Sequence, residues 1–277
     1  MCNLLRRTTR RGMLSLLAGL LVLLPLGADA REKSQSPVLD RISKTGTLRV
    51  GMSGNQPPFN FVSREGKMIG MDVDLAGLLA TALDVDLEIV DMPFGRLLES
   101  LESGKIDLVL SGMTATLPRN MRAAFVAPYH ITGKSLLARS ETIAALGKED
   151  LSQTELKVAA LEGSTSQIFV ERVAPNVALT KTENYDDAID LLLANKVDLF
   201  VADASIIMIS MMRWPDAGLV AADQPLTIEP IGVAVPASDP LLLNLVQNYM
   251  RAMEASGVLE KLNQKWFQDG SWLIQLP

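Results

Sequence analysis

The order of short apolar runs and helix-spaced segments narrows the fold most, because it goes round once and then starts again. Thr47 to Met52 alternates around Leu48 and Val50, as a strand does, and Gly51 to Pro58 is rich in turn formers. Met71 to Leu83 carries Met71, Leu75, Leu78, Leu79 and Ala82 at helical spacing. Leu87 to Val90 is a short strand. Pro93 suits the first turn of a helix that buries Leu97, Leu98 and Leu101, and Ile106 to Leu110 is an apolar strand. This β-α-β-α-β order implies parallel strands covered by helices.

From Leu156 the pattern restarts. Strands are predicted at Leu156 to Leu161, Val197 to Ala202 and Gly232 to Val235. Helices are predicted at Ser166 to Val173, Tyr185 to Ala194, Ala204 to Arg213, Pro240 to Ser256 and Val258 to Phe267. One stretch recurs: Leu101 to Leu110 echoes Leu192 to Val201. Each is a helix end, a Gly or Asn cap, then Lys-[Ile/Val]-Asp-Leu opening a buried strand. Two lobes on one plan would give this echo.

The N-terminus reads as an address. Arg6, Arg7, Arg10 and Arg11 precede an apolar run from Met13 to Leu26, and Ala28-Asp29-Ala30 is a small-x-small cleavage site. A secretory signal over residues 1–30 and a flexible segment over 31–40 are expected. A periplasmic location follows. Thr9 to Leu14 also matches a twin-arginine signal weakly. The chain has a net charge of −6, which becomes −9 without residues 1–30, because four Arg and one Asp leave. Such an acidic chain lacks the surplus Lys and Arg that nucleic-acid binding needs. One Cys and one His leave no disulfide framework and no Cys/His zinc site, so neither metal nor cofactor is expected.

In open parallel sheets, ligands gather beyond the carboxyl ends of the strands. Here those ends are Met52-Ser53, Ser111-Gly112, Glu162 to Thr165 and Ala202-Asp203. The loop Ser111 to Arg119 offers hydroxyls, a Gly that admits a ligand to the backbone, and a guanidinium that suits a carboxylate. Gly163-Ser164-Thr165 precedes a helix, whose free N–H groups favour an anion. Asp203 could hold an ammonium group, and Phe94 and Phe59 could form apolar walls. Together these suit a zwitterion, a free α-amino acid. Each has a plainer reading: Ser and Thr cap helices, Arg119 alone reads as a surface charge, and Asp203 could cap the helix at Ala204. His130 has no visible partner and reads as structural or exposed.

These residues, in this order and spacing, resemble the family-3 extracellular solute-binding proteins of polar amino-acid ABC importers. The carrying segments are Gly46 to Gly51, Pro57 to Phe59, Gly70 to Leu75, Leu101 to Asp107, Ser111 to Thr116 with Arg119, Pro128-Tyr129, Gly163 to Thr165, Val197-Asp198 with Asp203, and Lys265 to Phe267. The resemblance implies an α/β, two-lobed type II periplasmic-binding fold. Each lobe is a mostly parallel sheet flanked by helices, with hinges near Tyr129 to Leu136 and Pro225 to Ile231. Lobe 1 would take 41–132 plus 228–277, and lobe 2 would take 133–227. It implies that Arg119 grips an α-carboxylate with Gly112, Thr114 and Thr165 assisting, that Asp203 takes the α-amino group, and that Phe94 lines the pocket. Ser111, Ser164, Phe59, Gln56 and Ser53 complete the candidate set. Ser53 and Gln56 stand where better-known members carry an acid and an aromatic, which favours a neutral or polar ligand, or a small organic acid, over a basic amino acid. The implied protein is a monomer that serves an ABC permease and is not an enzyme. A cyclohexadienyl dehydratase-like enzyme, with Glu162 as its acid, and a solute sensor are the alternatives.

Overall fold

Residues 36–146 and 155–277 are described by a computed structural model, and the expected export signal lies outside them. Helix α1 (Pro37–Thr45) begins inside the segment expected to be flexible. It is ordered because buried Asp239 accepts from the Ser36 hydroxyl (2.8 Å) and the Val38 N–H (3.3 Å) while also capping a later helix through the Leu242 N–H (2.9 Å).

The chain then runs through β1 (Thr47–Met52), β2 (Asn55–Gln56), β3 (Asn60–Val62), β4 (Met68–Ile69), α2 (Met71–Ala82), β5 (Asp86–Asp91), α3 (Leu97–Glu102), β6 (Leu108–Val109), α4 (Leu117–Asn120) and β7 (Ala123–Thr132). A second run follows: β8 (Lys134–Arg139), α5 (Ser140–Leu146), β9 (Lys157–Leu161), α6 (Thr165–Val173), β10 (Ala178–Thr182), α7 (Tyr185–Leu193), β11 (Leu199–Asp203), α8 (Ala204–Arg213) and β12 (Leu219–Ala221). The chain returns through β13 (Glu229–Pro236), α9 (Pro240–Ala255) and α10 (Val258–Asn263).

Two five-stranded sheets result, ordered β5-β1-β6-β13-β7 and β10-β9-β11-β8-β12, beside a small sheet β2-β3-β4. The architecture is α/β with one strand plan used twice. In each large sheet the first three strands are parallel and the last two antiparallel to their neighbours. The antiparallel strands include those that carry the chain between sheets. β7 leads directly into β8 through Gly133, and β13 brings the chain back. A Cβ on Gly133 would stand 2.1 Å from the Thr227 carbonyl oxygen, so the outgoing and returning crossovers touch where only glycine fits.

The recurring Lys-x-Asp-Leu has a shared structural job. Asp107 accepts from the Arg49 N–H (2.7 Å) and its own N–H donates to the Arg49 carbonyl (2.9 Å). Asp198 does the same with Lys157, at 2.8 Å in both directions. Each aspartate thus locks the register of two parallel strands at their starts. Asp107 is buried and also pairs with Arg41 and Arg49, which ties α1 to the sheet.

The core follows the alternation seen in the sequence. Leu48, Val50 and Met52 of β1 are fully buried, whereas β11 is buried along its whole length. At the C-terminus the expected helix over Val258 to Phe267 is interrupted: after α10 the chain widens into a π-helical turn, Gln264–Gln268. The turn brings Trp266 Nε1 and Lys265 Nζ to one oxygen of Asp74, each at 2.7 Å. His130 stacks on Phe267 with centroids 3.8 Å apart and bonds Asn263 at 2.8 Å, a packing role.

Candidate ligand-binding site

The carboxyl ends of β1, β6, β9 and β11 meet around a small cavity of about 10 Å³. Its wall holds Gln56, Phe94, Gly112, Thr114, Arg119, Ser164, Thr165 and Asp203 from the expected set. Lys134, Ser166 and Tyr185 join them unexpectedly.

Arg119 is placed by a short helix. The Thr116 hydroxyl caps α4 by accepting from the Arg119 N–H (3.3 Å), and the side chain turns inward beneath Phe94, with its guanidinium carbon 5.4 Å from the ring centroid. Nη1 donates to the Thr114 carbonyl (2.9 Å) and Nη2 to the Gly163 carbonyl (3.0 Å), so the side chain spans loops from both sheets. Thr114 and Thr165 hydroxyls also meet across this gap at 3.4 Å. Arg119 is only 8% exposed, and no carboxylate among the described residues is in contact with it. Burial pushes its pKa down to about 10, against the fields of Asp203 and Glu229, and it remains cationic at neutral pH.

Asp203 departs from its helix-capping reading. It ends β11 directly before α8, yet its side chain makes no cap bond. Instead it pairs with the Nζ of Lys134, its cross-strand neighbour in β8. Glu229 lies 3.6 Å from the same ammonium and accepts from the Thr227 hydroxyl at 2.9 Å. Lys134 is 1% exposed.

The 163–165 turn also differs in detail. The Gly163 N–H donates to Gln167 Oε1 (2.8 Å) and the Ser164 N–H to the Leu161 carbonyl (3.2 Å), so neither is free for an anion. The Ser164 hydroxyl caps α6 by accepting from the Gln167 N–H at 3.1 Å. That cap leaves the N–H groups of Thr165 and Ser166 at the helix start beside the cavity.

Ser53, Ser111 and Phe59 are off the wall, contrary to expectation. Gln56 Nε2 donates to the Ser53 hydroxyl (2.6 Å) and to the Ser111 hydroxyl (3.1 Å), and the Ser53 N–H donates to the latter at 3.1 Å. These serines therefore hold Gln56 rather than face the cavity. Phe59 packs behind Gly112, edge-on to His130 and Phe267.

Asp72 is a positioning residue that sequence reading missed. Its carboxylate accepts from Tyr129 (2.6 Å), Asn60 Nδ2 (2.8 Å) and the Gly112 N–H (2.9 Å), joining β7 to the loop at the cavity. The signal was present as the second residue of Gly70 to Leu75. Burial lifts the carboxyl from 3.8 to about 6, although these three donors favour the charged form. The folded protein therefore keeps this proton where the unfolded chain has lost it. The contribution to stability is fully present below about pH 4 and is lost as pH rises through about 6, a loss of about 3 kcal/mol. Denaturant titrations of wild type and Asp72→Asn across this range should differ by that slope, and parallel profiles would refute the assignment.

A family model described as bacterial extracellular solute-binding proteins, family 3, matches residues 48–269. The chain belongs to this family. Family-3 solute-binding proteins on this architecture differ in what they do. The chain is 26% identical to the L-cystine-binding protein TcyJ of Escherichia coli strain K12, covering 92% of this chain and 96% of that one. It is likewise 26% identical to the cyclohexadienyl dehydratase of Pseudomonas aeruginosa, over 90% and 92% of the two chains. It matches the crystal structure of a mutant of ArgBP from T. maritima with a TM-score of 0.76 and 33% identity, covering 84% of this chain and all of that one. The family is extracellular, and no helix among the described residues is long and apolar enough to cross a membrane.

Proposed function

We propose that this family-3 protein works in the periplasm as a monomer that captures a free amino acid between two lobes and delivers it to an ABC permease. One observation carries the reading: Arg119 is a buried guanidinium on a cavity wall, with no carboxylate among the described residues in contact. A buried cation with no carboxylate in contact is costly, and a ligand carboxylate supplies that contact. The hydroxyls of Thr114 and Thr165 and the N–H groups that open α6 extend the same anion cradle. The second oxygen of Asp203 takes the ligand ammonium.

The lobes are 41–132 with 228–277, and 133–227. Ligand joins Arg119 on one to the Thr165 turn on the other, so it stabilises the closed form by contacts the open form lacks. Closure presents both lobes together to the permease.

The dehydratase relative makes turnover the rival reading. The acid that the sequence offers for it, Glu162, is exposed and does not line the cavity, which supports binding without chemistry. The test is calorimetry on protein unfolded to strip bound ligand and then refolded, titrated with each standard L-amino acid. Saturable heat with at least one is expected, and prephenate should survive incubation unchanged. Silence with all of them, or prephenate turnover, would overturn the proposal.

A further inference from the structure

We propose that Lys134 and Glu229 set the charge of the ligand, so that the site takes an amino acid whose side chain is uncharged and carries a hydrogen-bond acceptor. This rests on the amino-acid reading and sharpens it.

Four buried charges form one cluster at the cavity, with Asp72 outside it behind Gly112. Arg119 and Lys134 are balanced by Asp203 and Glu229, and the side chains of Lys134, Asp203 and Glu229 are 1%, 8% and 11% exposed. The remaining ionisable group on the wall, Tyr185, is neutral, because burial holds its pKa well above 10.0. The cluster that faces the ligand thus sums to zero before ligand enters. A zwitterion keeps it there, whereas a ligand with a charged side chain leaves an uncompensated charge out of water.

The arrangement is alternating. Ligand carboxylate faces Arg119, and ligand ammonium faces the free oxygen of Asp203. Lys134 holds the other oxygen, and Glu229 backs Lys134. Because Lys134 and Asp203 are register partners in one sheet, their pairing does not depend on closure. The ammonium of Lys134 has three protons. Asp203 takes one and Glu229 attracts another, which leaves the third for an acceptor on the ligand side chain. Gln56, pinned by Ser53 and Ser111, puts an uncharged amide on the same wall.

The experiment titrates the refolded full chain with L-glutamine, L-glutamate and L-arginine. Glutamine is expected to bind at least about tenfold more tightly than either charged ligand. Lys134→Met leaves the site acidic and should move the arginine-to-glutamine affinity ratio toward arginine by at least about tenfold. Glu229→Gln leaves it basic and should move the glutamate-to-glutamine ratio toward glutamate by a similar factor. Wild type that binds arginine or glutamate as tightly as glutamine overturns charge selection, and this ranking holds as a test even where a variant does not fold. Unchanged ratios in folded variants also overturn it. Silence with every amino acid overturns the underlying reading instead.

Discussion

Arg119→Ala is expected to weaken amino-acid binding by at least about 100-fold, the largest loss from any single side chain in the site. Removing one member of a buried, hydrogen-bonded charge pair typically costs about 2–5 kcal/mol, much of it from stranding the other charge. Here that stranded group is the ligand carboxylate. The guanidinium also bonds the Thr114 and Gly163 carbonyls, so its loss removes a link across the gap as well as the counter-ion. Arg119→Lys keeps the charge but not the planar fork and should fall between, at about tenfold. Ligand-free stability gives the control. Arg119 is desolvated without a carboxylate in contact, so its removal should move the ligand-free melting temperature by less than about 3 °C. A variant that binds normally, or that loses binding only because it melts, would sink the assignment.

The largest expected stability loss lies at Gly70, outside the cavity. Its φ of 138° is used comfortably by glycine alone, and a Cβ there would stand 2.1 Å from the Phe59 carbonyl oxygen and 2.8 Å from the Asn60 Cα. These are backbone atoms, so no side chain can swing aside. The backbone is also held in place: the N–H groups of Met71 and Asp72 donate to the Pro58 and Phe59 carbonyls at 3.0 and 2.8 Å. Gly70→Ala should cost at least about 3 kcal/mol, lowering the melting temperature by about 6–12 °C. Gly104→Ala is the matched control. Its φ is also positive, at 72°, but a Cβ would meet nothing within 4 Å, so only about 1 kcal/mol is expected. Equal effects at the two sites would mean that the contact with Phe59 does not matter. Because Gly70 opens α2, its replacement also shifts Asp72 and slackens the Gly112 loop.

Where local pattern dominates, the chain was legible. β1 covers the residues that alternation marked, α2 stops within one residue of its predicted end, and α8 matches at both ends. Ile106 to Leu110 is buried throughout as an apolar strand should be, yet only Leu108 and Val109 pair as a strand. Apolar runs report burial, and pairing depends on what lies alongside. Arg119, Thr114 and Thr165 were legible as cavity residues because strand ends fix where loops gather. Ser53, Ser111 and Phe59 were placed on the wall because sequence tells which loop a side chain belongs to but not which way it turns.

By itself the sequence determined the class of protein: two rounds of strand and helix, a recurring Lys-x-Asp-Leu in each, and polar loops meeting at the strand ends. These depend on patterns within about ten residues, and short-range sterics and burial suffice to decode them. Only the tertiary structure decided the electrostatics of the site. Lys134 opens β8, and nothing in the local sequence marks it as a site residue. It is buried because β11 sets Asp203 opposite it and the returning crossover brings Glu229 within 3.6 Å of its ammonium. Coulomb interaction follows distance in space, and in this fold that distance is set by register and by two crossovers that touch at Gly133.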